Sequence, residues 1–174
     1  AMYGLANRFL VVGKQDSALT YYDFAYTQLE KNTNNTSHLS DLSDIWINKG
    51  IVYTQLGDFP HAIECFQKAQ SSLDQMGDQA NYFHFYLNKG QLLIEQNDWK
   101  KGLDLLKKAI PEDLSELDFL DRLYLFEDLS DAYAQLQMYD SAYYYQQSAY
   151  AVRDSLYNEN KRKEFVRFQT ERYK

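Results

Sequence analysis

WINKGIVYTQLGDFPHAIECFQKAQ, from Trp46 to Gln70, is the stretch whose reading decides the fold. Trp46, Gly50 and Tyr53 come first, then Ala62, Phe66 and Ala69, all at helical rather than strand spacing. Gly57-Asp58 stands between the two sets as a tight turn. The stretch therefore reads as two amphipathic helices joined by a very short connection. Pro60, just past the turn, suits the first turn of the second helix, where a missing N–H leaves no bond unmade.

The pattern then recurs. Gly50, Gly90 and Ser130 are successively 40 residues apart, and Ala62, Gly102 and Ala142 keep the same step. Ala6 and Ala18 lie 44 residues before Gly50 and Ala62. Two landmarks keeping one step predict four units. In the first, a helix over about 2–12 and a Gly13-Lys14 turn lead to a second helix. Asp16 or Ser17 caps that helix, and Ala18, Tyr22 and Ala25 share a face. In the second unit Met76-Gly77-Asp78 ends the second helix. In the third, Leu93 and Leu106 replace aromatics, Trp99 follows the turn, and Ile110-Pro111 closes the unit. In the fourth, from about Ser115, Gln146 stands where an aromatic is expected. Helical signal runs on to Arg172 as one long helix, or as two with a joint near Asn158-Glu159-Asn160.

W-x2-K-G-x2-Y followed by A-x3-F resembles the tetratricopeptide repeat (TPR), whose pattern is W-x2-L-G-x2-Y…A-x3-F. Lys49 replaces the family leucine and Asp74 its closing proline. The resemblance implies an all-α, right-handed α–α superhelix, a single TPR domain over 1–174. Its repeats fall at approximately 1–34, 38–76, 79–110 and 115–152, with a C-terminal helical extension over 153–174. It also implies close helix crossings, Gly50 facing Ala62 and Gly90 facing Gly102, where a larger side chain costs roughly 1–3 kcal/mol. Stacking must supply the core, because one unit cannot bury its own apolar face.

Composition narrows the function classes. The net charge of −7 argues against a non-specific phosphate-binding surface. One cysteine, Cys65, excludes an internal disulfide and leaves the compartment open. No run of 18 apolar residues predicts a membrane span, and no signal peptide is visible. Two overlapping glycosylation patterns, Asn34-Asn35-Thr36 and Asn35-Thr36-Ser37, read as a polar turn.

No nucleophile elbow, phosphate loop or dinucleotide fingerprint occurs. His38, His61 and His84 stand 23 residues apart without ligand spacing and read as scattered surface residues, not a metal site. Asp113, Ser115 and Glu116 lack the glycine and ligand order of a calcium loop. Glu127, Asp128 and Asp131 read as an exposed acidic helix face; acid/base catalysis by them is the lesser reading. Cys65 reads as partly buried and inert, and the tyrosine runs 21–22 and 143–145 as packing and rim residues. The expectation is no enzyme, no catalytic residue, no cofactor and no metal.

The resemblance points instead to a concave groove lined by first helices, with a protein or peptide as partner. Mapped onto this chain, the groove positions are Asn7 and Leu10, then Ile47, Asn48, Ile51, Thr54 and Gln55. His84, Leu87, Asn88, Gln91, Ile94 and Glu95 follow, then Glu127, Asp128, Asp131 and Gln135. The equivalent Asn48 and Asn88 either pair with a peptide backbone or satisfy neighbouring helix groups. Neutral and acidic groove positions argue against the grip on a C-terminal carboxylate known in some family members.

RDSLYNENKRKEFVRFQTERY, at 153–173, resembles the end of the TPR region in bacterial membrane-anchored regulators of the histidine kinase or helix-turn-helix type. That implies a sensory module, extracytoplasmic, with a free cytoplasmic adaptor as the alternative. The fragment itself is expected neither to bind nucleic acid nor to span a membrane. Phe165, Phe168 and Tyr173 form a thin apolar stripe that suggests a homodimer through the C-terminal helix.

Overall fold

In the computed structural model, residues 2–31, 37–77 and 82–172 are described, with side chains over 4–31, 38–77 and 82–163. The regular elements there are all helical. They are α1 (Met2–Val11), α2 (Gln15–Glu30), α3 (Ser37–Gln55), α4 (Phe59–Met76), α5 (Phe83–Glu95), α6 (Trp99–Ala109), α7 (Phe119–Gln135) and α8 (Tyr139–Arg172), with a short 3₁₀ turn at Leu114–Glu116. The helices pair in order as four antiparallel hairpins. The glycosylation patterns, Asp78 and Tyr173 lie outside the described residues, as do the side chains of Phe165 and Phe168.

All four hairpins turn by the same hydrogen-bond scheme. In the second, Gly57 N donates to Thr54 O, Asp58 N to Tyr53 O and Ala62 N to Asp58 O. The other turns repeat it around Gly13, Asn97 and Gln137. Each of these four residues takes positive φ, from 60° to 72°. The 40-residue step is thus a step of backbone geometry, even where the residue at the turn is not glycine.

Small residues set the helix crossings. A Cβ built on Gly90 would lie 3.3 Å from Gly102 O, and one on Gly102 3.1 Å from Gly90 O, so these backbones meet as expected. At Gly50 the nearest atoms belong to the Phe66 ring, at 2.9 Å, rather than to Ala62. Ser130 fills the same place in the last hairpin, its Oγ donating to Ala142 O at 3.0 Å.

The chain divides into two compact units, 1–109 and 110–174. In the first, Tyr22, Ile45 and Val52 anchor one cluster; Trp46, Phe66, Leu73, Phe85 and Leu92 anchor the next. Trp46 is flanked by two ammonium groups, Lys49 Nζ at 4.8 Å and Lys68 Nζ at 4.4 Å from the ring centre. Asp74, in place of the family proline, accepts the Tyr82 hydroxyl at 2.7 Å and so ties the end of α4 to the start of α5. In the second unit the ring predicted at 146 is supplied one residue earlier. Tyr145 stacks on Tyr133 at 5.5 Å and leans on Phe126, while Gln146 faces outward.

Two local expectations are corrected. Neither Asp16 nor Ser17 caps α2: Lys14 holds that position and its side chain makes no capping bond. The long C-terminal helix is continuous from Tyr139 to Arg172, with no joint at 158–160.

Candidate partner-binding face

Within the first unit, α1 packs against α3 and α3 against α5, so the first helices of successive hairpins lie side by side. The second helices touch the next first helix, α2 on α3 and α4 on α5, and no comparable contact joins α2 to α4 among the described residues.

Two equivalent motifs run along this row. Asn48 Nδ2 donates to Asp44 O at 2.8 Å, and Asn88 Nδ2 donates to His84 O at 2.7 Å. Each amide thereby fixes itself to its own helix and keeps Oδ1 and a second N–H for other partners. Asp44 was not visible as a site residue in the sequence, although it occupies the position of His84 one step earlier. It is half-buried, and burial pushes its carboxyl above the ordinary carboxylate range, while the nearby His84 pulls the other way.

The remaining predicted groove residues separate by burial. Gln55, His84 and Glu95 are exposed; Gln91 and Ile94 are half-buried. Ile47 and Leu87 are core residues, at 5% and 4% exposure, and cannot line a groove. Ile51 packs on the core edge, and Thr54 returns its hydroxyl to Gly50 O. Asn7 accepts the hydroxyl of fully buried Tyr22 at 2.5 Å, a bond that joins α1 to α2. In the second unit Glu127 forms an ion pair with Arg153 of α8, so it is not part of a free acidic face. Asp128 is half-buried, and Asp131 and Gln135 are exposed.

The groups singled out for other chemistry have structural partners. His61 Nδ1 meets Asp58 Oδ2 at 2.6 Å and its ring stacks on Tyr53. Burial pushes the Cys65 thiol up to about 11, which keeps it protonated and slow to react. Asp113 caps the 3₁₀ turn by accepting from Ser115 N.

The hairpin that carries Asn48 coincides with a family match. Residues 43–71 match the tetratricopeptide repeat family. No curated protein matches the chain. Among solved structures, the crystal structure of BtubC (BKLC) from P. vanneervenii is similar, with a TM-score of 0.68 at 20% identity. The alignment covers 87% of this chain and 61% of that one, so the chain spans under two thirds of its length. That likeness shows the fold alone. In TPR terms, Lys49 occupies the leucine position of the matched repeat. It is 8% exposed, and its Nζ reaches Asp23 of α2 at 2.5 Å, so a charge pair links the TPR to the preceding hairpin.

Proposed function

We propose that the chain is the partner-binding part of a larger bacterial signalling or transcription-regulatory protein, and that it takes an extended peptide across the row formed by α1, α3 and α5. A protein-interaction role is what the tetratricopeptide repeat supports. The groove reading rests on one observation, that first helices neighbour each other while second helices do not. A row packed in that way lies on the inner side of a bend. Asn48 and Asn88, one step apart along it, present amide groups at a regular interval. An extended peptide offers unpaired N–H and C=O groups at regular spacing, and an amide can pair with both. The regulatory role and an extracytoplasmic position rest on the resemblance of 153–173 to sensor regions. The reading needs no catalysis and no cofactor.

Peptides selected on the wild-type chain by phage display test it. Two backbone hydrogen bonds at about 0.5–1.5 kcal/mol each amount to roughly a tenfold affinity loss or more in Asn48→Ala/Asn88→Ala. The thermal melt should be little changed, since both side chains are only half-buried. Unchanged affinity in the double variant overturns the groove reading.

A further inference from the structure

The exposed apolar surface of the second unit is concentrated on one helix face. Tyr139, Tyr143, Tyr150 and Tyr157 fall on one side of α8, spaced by four and then seven residues, and are 67%, 64%, 47% and 59% exposed. Helix α8 has 34 residues against 17 in α7. The cross-helix partners Ser130–Ala142 and Glu127–Arg153 show that the part of α8 after Tyr157 runs past the start of α7.

Beside this stripe is a pocket of about 240 Å³ lined by Glu127, Ser130, Asp131, Gln146, Tyr150 and Arg153, with Ala149 at its floor. Its counterpart in the second hairpin, 80 residues earlier, shows what such a bed accepts. There Ile47, Gly50, Ile51, Phe66, Ala69 and Leu73 hold the next first helix through Phe85. In α7–α8 the same positions are polar and acidic, so a helix bedded there must be polar and basic on its contact face. The projecting part of α8 has that character. Lys161, Arg162 and Lys163 are all exposed, and Lys161 lies over the Tyr157 ring at 4.7 Å, on the stripe itself.

We infer that two copies of the chain associate through α8, antiparallel about a two-fold axis between Tyr150 and Tyr157. Lys161 of each copy enters the α7–α8 pocket of the other, beside Asp131. Asp131 is exposed and has no ion-pair partner among the described residues, and Lys161 has no carboxylate partner there. The operation is self-complementary, since each copy supplies both the acidic bed and the basic segment. At about 150–250 Å² per fully buried ring, eight partly exposed tyrosines supply on the order of 1,000 Å², the lower bound for a specific interface. This surface is separate from the α1–α3–α5 row, so peptide binding and self-association succeed or fail independently.

Sedimentation equilibrium of the full chain from micromolar to millimolar concentration, at low and high salt, tests the inference. The expected result is a concentration-dependent rise from 20.5 kDa toward twice that mass, weakened by salt. Lys161→Glu and Asp131→Lys should each weaken association by about tenfold or more, and their combination in one chain should restore it. Both positions are exposed, and an unchanged circular dichroism spectrum would show that the fold survives. A wild-type mass of 20.5 kDa throughout overturns the inference. So do single charge variants that associate like the wild type, or a double variant that stays monomeric.

Discussion

Lys49 shows how a departure from a family pattern is absorbed. A leucine there would join the core without further need. The lysine is as buried, so its ammonium requires a partner, and Asp23 provides one at 2.5 Å. Asp23 is largely exposed, which screens the pair and limits its net worth. A pair of this kind seldom outperforms a well-packed apolar residue, yet removing one partner strands the other. Asp23→Ala should therefore destabilise by about 1 kcal/mol, while Lys49→Leu should be neutral or stabilising. Urea denaturation of the two variants decides it, and the opposite order would show that the pair itself holds the hairpins together. Asp44 gives a pH-dependent test. Its folded-state pKa lies above the ordinary value, so ionisation in the folded protein costs stability. That cost is present at neutral pH, diminishes as pH falls through the raised value, and vanishes below the unfolded value of about 3.9. Asp44→Asn should raise Tm at neutral pH, with the difference closing toward pH 4. A pH-independent difference would assign the effect to packing.

At the scale of the element, the turns explain what sequence could and could not reveal. Gly13 and Gly57 announce left-handed residues, because only glycine adopts them without steric cost. Asn97 and Gln137 occupy the same geometry with φ of 62° and 60°, and only the repeat step identifies them. Asparagine tolerates that region, whereas glutamine has no such compensation. Gln137→Gly should therefore stabilise the last hairpin by about 0.5–1 kcal/mol, the strain released less the added chain entropy of glycine. A fall in Tm would show that the Gln137 side chain contributes more than its backbone costs. The Gly90–Gly102 crossing was legible for the same reason, since two small residues keeping one step point to close backbones. The exchange of position 146 for Tyr145 was not, because a side chain can reach the same space from the neighbouring position once the helix rotates slightly. The burial of Ile47 and Leu87 was also hidden, since family groove positions assign a face and not a depth.

For the whole molecule, the distribution of the core makes a sharper claim than the repeat pattern. Repeat proteins gain stability from interfaces between neighbours, and a lone hairpin has none. Residues 1–109 contain three hairpins and two buried clusters whose residues all lie within that unit, from Ala6 to Leu92. They should fold without the rest of the chain, with a cooperative melt and a dispersed amide spectrum. Residues 110–174 hold a single hairpin whose buried residues come from α7, the first half of α8 and Leu117. Alone they should show partial helicity that fades gradually on heating, because one helix pair buries too little surface to offset the chain entropy. If the short fragment melts cooperatively as a monomer, its hairpin is stable alone and the nearest-neighbour account fails. Should its melting become cooperative only as concentration rises, pairing through α8 supplies the missing neighbour, and the tyrosine stripe has a folding role as well as an assembly role.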